Sequence, residues 1–141
     1  MPKTTKQISL FLTNKQGTLN EFLNVLKEKN INILALNISE TEKYGIVRLI
    51  VKNPDEVLEY LKQKDYLASI TKIFIVPVSN EVGGLHGLIN TIAKEGIAVE
   101  YMYSMSYIEK TDLAYMCIAV DNNEKMENCI EKYSIKVESI N

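Results

Sequence analysis

The sequence predicts an α+β fold made of two βαββαβ repeats in a connected antiparallel sheet. Three observations predict it. The segment Asn14-Lys15-Gln16-Gly17-Thr18-Leu19 returns 66 residues later as Asn80-Glu81-Val82-Gly83-Gly84-Leu85. Within each copy, β-rich runs alternate with runs whose apolar residues recur at helical spacing. Only one strand's worth of chain, Tyr66 to Ser79, separates the last helix of the first copy from the first helix of the second.

Self-similarity decides the architecture. The offset of 66 runs without a gap through Phe22/Leu88, Leu26/Ile92, Ile31/Ile97, Ile33/Val99 and Leu36/Met102. After the following hairpin the sequence similarity is read at an offset of 68, with Ile50/Ile118, Asn53/Asp121, Leu58/Met126 and Leu61/Cys129. Two inserted residues are thereby expected near Glu109-Lys110-Thr111, where a turn tolerates them.

The elements follow in order. Gln7 to Thr13 is a short apolar run ending in the turn-prone Asn14-Lys15-Gln16-Gly17, a strand feeding a loop. Leu19, Phe22, Leu23 and Leu26 fall at i, i+3, i+4 and i+7, an amphipathic helix that Leu85, Leu88, Ile89 and Ile92 repeat. Lys29-Asn30 and Glu95-Gly96 stop these helices, with Gly96 suited to the left-handed cap. Ile31 to Ser39 and Ile46 to Val51 are strands joined through a hairpin at Glu42-Lys43-Tyr44-Gly45. Asn53-Pro54-Asp55 opens a second helix, with Asn53 or Asp55 as cap and Pro54 near its first turn. The order is the ferredoxin-like unit. The stretch Tyr66 to Ser79 holds one long strand and no second one, so the strand at about 70–79 is expected to close the first copy (residues 1–70) and open the second (residues 71–141). Pro77, lacking an N–H, is expected at an edge, bulge or strand end.

Composition removes several functions. Sixteen basic against 18 acidic residues leave a formal charge of −2, with no basic run to attract nucleic acid or an anionic membrane. No secretory h-region, membrane-spanning run or lipidation box is read, which makes a cytoplasmic protein the expectation. The two cysteines, Cys117 and Cys129, make no disulfide framework and read as small core residues. With one histidine, His86, no metal cluster is expected from the usual ligand sets, and no cofactor either. The run Val82-Gly83-Gly84-Leu85-His86-Gly87 lacks both the Walker Lys-Ser/Thr and the dinucleotide glycine spacing.

A strand followed by Asn-x-x-Gly-x-Leu, an amphipathic helix and Asn32-Ile33 opening the next strand, in βαββαβ order and duplicated, resembles the ACT domain. Without a catalytic domain, the chain is similar to small stand-alone tandem ACT proteins of bacteria. The family often has Pro before the loop glycine, where this chain has Gln16 and Val82; copy two has Ala98 where copy one has Asn32. The resemblance implies a small ligand, most often an amino acid, held where two modules meet, and a regulatory role in amino-acid metabolism or transport. It implies a homodimer and a regulated enzyme acting in trans as partners, with no nucleic acid and no membrane.

The physical chemistry of the loops fits such a guest. Helix N-termini at residues 17–20 and 83–86 present orphan N–H groups and the positive dipole end, which suit an α-carboxylate. Gly17, Gly83 and Gly84 permit close approach. Asn14 and Asn80 can cap their helix or loop, or offer a carbonyl to an ammonium. Gln16, Thr18, Leu19, Val82, Leu85 and His86 complete the two loops, and Asn32 opens the adjacent strand. Glu100, Tyr101 and Tyr103 replace smaller or uncharged residues of copy one and are the expected wall for side-chain selectivity. The same residues also fit purely structural roles. The glycine loops also suit plain strand-to-helix turns, His86 a surface position, and Arg48 a solvated strand position, an interface salt bridge or a carboxylate clamp. Three functions are weighed: a non-catalytic amino-acid-responsive regulator, a structural or interaction module using its sheet edges, and a small enzyme. No nucleophile–base–orienter set supports the last, and the regulator is the expected function.

Overall fold

The computed structural model describes residues 3–105 and 113–141; the expected insertion at Glu109-Lys110-Thr111 lies outside the described residues. The chain divides into two compact units. The first comprises Lys6–Thr71 with Ile140–Asn141, and the second comprises Lys72–Ser139 with the residues up to Thr5.

The first unit runs β1 (Thr5–Thr13), α1 (Thr18–Glu28), β2 (Ala35–Glu40), β3 (Tyr44–Ile50), α2 (Pro54–Gln63) and the opening of β4 (Ala68–Ser79). Its strands lie in the order β2-β3-β1-β4, with β3 antiparallel to both β1 and β2. Alternation along β1 turns Ile8, Leu10 and Leu12 to one face, where Val47 and Leu49 of β3 join them. Onto this face α1 lays Phe22 and Leu26, and α2 lays Val57 and Leu61, all buried. Tyr66 meets the Phe22 ring edge-on at a centroid distance of 5.3 Å. Asn141 closes the open end of β1: its amide nitrogen donates to the carbonyls of Lys6 and Val51, each at 2.9 Å.

The second unit takes the rest of β4, then α3 (Gly84–Lys94), β5 (Val99–Ser104), β6 (Leu113–Val120) and α4 (Asn123–Tyr133). Here β6 pairs antiparallel with β4 on one side and β5 on the other. Glu138 adds an antiparallel bridge, its N–H donating to the Ile75 carbonyl at 2.8 Å. Phe74, Val76, Val78, Ile92, Ile118, Met126 and Ile130 form the core. Each unit thus repeats the same strand order, and β4 is one continuous strand: Ala68–Thr71 belongs to the first unit and Lys72–Ser79 to the second. Pro77 lies near the end of that strand, opposite Tyr115.

The repeat register needs one correction. Leu10 pairs with Val47 and Val76 with Met116, so the offset across β3 and β6 is 69 residues rather than 68. Leu49 therefore matches Ile118, and the two helix N-caps are Asn53 and Asn122. Matching Ile50 to Ile118 satisfies residue similarity but slips the strand by one, which would turn every side chain to the wrong face. The helix ends obey the corrected register. Asn30 and Gly96 are left-handed (φ 56° and 73°), as are Asp65 and Ser134 (φ 67° and 52°). After each, an N–H reaches back into the last turn: Ile31 to Leu26, Ile97 to Ile92, Tyr66 to Leu61 and Ile135 to Ile130. A second correction concerns Gly45. The hairpin turn closes at Thr41, whose N–H and hydroxyl both donate to the Tyr44 carbonyl (2.8 and 2.9 Å), and Gly45 is already inside β3.

Both cysteines are buried. Cys117 lies opposite Tyr103 across β5–β6, and burial pushes its thiol up to about 12 against the opposing pull of a Tyr103 hydrogen bond. A raised folded-state pKa favours the protonated native form. Its contribution is complete below the unfolded thiol value of about 8.5 and is lost as pH rises towards 12. Two results are expected. A thiol reagent at pH 8 modifies neither cysteine until urea unfolds the chain. The urea midpoint falls above about pH 8.5, and Cys117→Ala flattens that fall.

Candidate functional site

In the first unit β1 ends at Thr13 and the chain turns through Asn14–Gln16 into α1. Gly17 is the N-cap residue in the left-handed conformation (φ 88°), and no side chain caps the helix there. The loop is pinned from outside the helix mouth. The Thr18 hydroxyl donates to the Thr13 carbonyl at 2.8 Å and lies 3.0 Å from the Lys15 carbonyl. Asn14 donates its amide to the Thr41 carbonyl at 3.0 Å, tying the loop to the β2–β3 hairpin. Asn14 is therefore not the helix cap. Its side-chain oxygen lies over Gly45, 3.5 Å from where a Cβ on that glycine would sit.

Between loop and hairpin lies an open depression of about 330 Å³. Asn14, Gln16, Thr18 and Leu19 form one side, and Leu12, Ile38, Glu40 and Gly45 the other. Leu19 and Ile38 remain 38% and 43% exposed, so two aliphatic side chains flank the first turn of α1 in contact with water. The first turn of α1, the positive end of its dipole, borders the same depression through Thr18 and Leu19. Such a hollow can hold an anionic group at the helix end and an apolar group against Leu19 and Ile38.

Gly45 is the residue that the sequence reading did not single out. It pairs with Leu12 and Glu40 in an unbroken ladder and its φ is not positive. A Cβ there would meet nothing closer than 3.5 Å. Neither strain nor packing demands glycine, although glycine in a strand interior costs about 0.5–1 kcal/mol relative to alanine. The signal available in the sequence was a lone glycine beside a β-rich run, a mark of close approach by a ligand or another backbone.

The second unit carries the equivalent loop. Gly83 is its left-handed N-cap (φ 84°), again without a side-chain cap, and Val82 is fully exposed at the tip. The Ser79 hydroxyl accepts the Glu81 N–H at 3.2 Å, and the Gly84 N–H returns to the Glu81 carbonyl at 3.1 Å. Gly84 stands where the first unit has Thr18. Its backbone lies so close to β4 that a Cβ would come within 2.3 Å of the Ser79 carbonyl oxygen. Asn80 and His86 are exposed, and Leu85 is 37% exposed.

The remaining expected residues lie apart. Asn32 lines a separate hollow of about 260 Å³ with Lys29, Lys52, Asn53 and Tyr60, at the far end of α1. The 11 residues of α1 put roughly 16 Å between its two ends. Tyr103 is buried against Cys117, on the sheet face opposite Met102, which packs with α3 and α4 in the core. Glu100 is exposed at a register shift between Val99 and Tyr101, and Tyr101 is half-buried. Arg48 donates to the Ser39 hydroxyl at 3.0 Å. Among the described residues no group of three or more His, Cys, Asp or Glu side chains is placed to hold a metal ion. None of their helices is long and apolar enough to cross a membrane.

These repeated units and their helix-mouth loops are the architecture of a paired ACT module, and the family model of the ACT domain pair matches residues 3–139. The chain belongs to the ACT domain pair family. Among solved structures, protein BT0572 from Bacteroides thetaiotaomicron is similar at 32% identity and a TM-score of 0.88, over 98% of this chain and 94% of that one. The regulatory subunit of aspartate kinase from Thermus thermophilus, in its ligand-free form, shares the fold at 14% identity and a TM-score of 0.61, over 92% of this chain and 90% of that one. The corresponding subunit from Thermus flavus does so at 12% identity and a TM-score of 0.61, over 93% of each chain. Comparison with functionally curated proteins gives no match.

Proposed function

We propose that the chain is a non-catalytic regulatory protein that binds an amino acid at its strand-to-helix loops and acts in trans on an enzyme or transporter of amino-acid metabolism. The observation that carries this reading is the depression at α1. There an uncapped helix mouth at Gly17 and two water-exposed aliphatic residues, Leu19 and Ile38, converge over a glycine that the strand does not require. Membership of the ACT domain pair family supports it, as do fold relatives described as regulatory subunits. A ligand acts by favouring one arrangement of the protein over another, and only to the extent that it binds the two with different affinity. The proposed setting is the cytoplasm and the proposed assembly a homodimer.

An interaction module that uses its sheet edges is the second reading. Exposed Ile38 on β2, the strand at the edge of the first unit's sheet, favours it. A thermal-shift screen with the twenty amino acids at millimolar concentration separates the two. At least one amino acid raises the melting temperature if the first reading holds. A flat response to all twenty, with a stable oligomer by light scattering, overturns it in favour of the second.

A further inference from the structure

We infer that the first unit carries a second site, separate from the depression at Gly45, which takes a small organic cation between exposed aromatic rings and two carboxylates. Its walls come from three places in the chain. Alternation along β1 turns Phe11 to the face opposite Leu10 and Leu12, and Tyr44 of β3 meets it edge-on at a centroid distance of 6.3 Å. The left-handed turn at Asp65 ends α2 and returns Tyr66 and Leu67 to β1, where the Phe11 N–H donates to the Leu67 carbonyl at 3.2 Å. Glu21, in the first turn of α1, completes the border.

These residues line an open hollow of about 390 Å³, within the range of about 300–1,000 Å³ usual for small-molecule sites. Its three rings and both its carboxylates belong to it and not to the depression at Gly45. Phe11 and Tyr44 are each 48% exposed, so both rings are open to a guest. Charge decides which guest. Glu21 and Asp65 are exposed, and among the described residues neither enters an ion pair. The one ammonium on the lining, that of Lys64, lies over the Tyr60 ring at 5.7 Å, and Tyr60 is not part of this hollow. Burial, and after it the Glu21 carboxylate, pushes the Tyr66 phenol above its ordinary value, so the Glu21 charge is felt at that ring. A cation gains from the carboxylates and from the ring quadrupoles, whereas an anion is repelled by both.

The second unit has nothing comparable. In the corrected register Phe11 and Tyr44 correspond to Pro77 and Leu113. Asp65 and Tyr66 correspond to Ser134 and Ile135 at the end of α4, and Glu21 to Gly87. Every ring and every carboxylate is replaced by a residue with neither, so the repeat itself does not require them.

The test is an amide-resolved NMR titration of the full chain with three probes that share a benzyl or phenyl ring and differ in charge: benzyltrimethylammonium, benzyl alcohol and benzoate. Benzyltrimethylammonium gives saturable shifts at Phe11, Tyr44, Asp65 and Leu67, and binds about tenfold or more tightly than either other probe. Tyr44→Leu and Glu21→Gln, both at exposed positions, each weaken the cation by about threefold to tenfold with the urea midpoint little changed. Glu21→Gln leaves benzyl alcohol unaffected. Binding of benzyl alcohol or benzoate as tight as that of the cation overturns the inference, as does cation binding that both variants leave unchanged. Saturable shifts confined to other residues, or no saturable binding of the cation, overturn it equally.

Discussion

Phe22→Ala lowers the stability of the chain by about 3–5 kcal/mol, read from urea denaturation at 25 °C. Phe22 is fully buried, inserted from α1 between the sheet residues of the first unit and the edge of the Tyr66 ring. Truncation removes the transfer free energy of the ring and leaves a cavity that a sheet and two helices fill only in part. Domains of this size are stable by roughly 5–15 kcal/mol in total, so the loss is a large share of the whole. Leu19 sits one turn earlier on the same helix and gives the opposite pattern. At 38% exposed it contributes little to the core, and Leu19→Ala changes stability by about 0.5 kcal/mol or less. If the depression holds a ligand, that same change weakens its binding. The helix therefore separates a residue that holds it in place from one that borders the depression.

Gly84→Ala destabilises by about 1–3 kcal/mol, the range for forcing atoms into a filled site. The added Cβ would fall 2.3 Å from the Ser79 carbonyl oxygen and 3.2 Å from its carbon. Both belong to the backbone of β4, so no side chain can swing aside; the loop or the strand end must move. Gly87, one turn further along α3, is the internal control. Nothing lies within 4 Å of a Cβ there, and alanine suits a helix better than glycine by about 0.5–1 kcal/mol. Gly87→Ala is thus expected to raise the urea midpoint while Gly84→Ala lowers it. Equal effects at the two positions would mean that the close approach of α3 to Ser79 is wrong.

Much of the fold was legible because its determinants are local or periodic. The spacing of Leu19, Phe22 and Leu26 specifies a helix and its buried stripe, and Asn30 and Gly96 mark where the first helix of each copy must stop. The single strand between α2 and α3 followed from chain length alone, since residues 66–79 cannot hold a turn and two strands. The corrected offset was not legible. A strand can slip by one residue with little change in similarity score, and only pairing such as Val76 with Met116 fixes which face each side chain takes.

The candidate site was legible only in part, for a related reason. Asn14, Gln16, Thr18 and Leu19 are contiguous in sequence, so the loop that carries them was visible. Their partners Leu12, Ile38, Glu40 and Gly45 arrive from three strands through sheet register. Conversely, Asn32 follows the loop closely in sequence yet sits beyond the far end of α1, and Tyr103 is turned by strand alternation to the face away from the helices. Residue chemistry marked these two as candidates; geometry separates them from the depression.

The most direct test of a ligand site at the α1 mouth is an amide-resolved NMR titration of the full chain with the amino acid that gives the largest thermal shift. Saturable shifts are expected at Leu19, Ile38 and Gly45, with the loop at 82–86 changing less. Shifts confined to the 82–86 loop, or saturable binding that leaves Leu19, Ile38 and Gly45 unmoved, would contradict it.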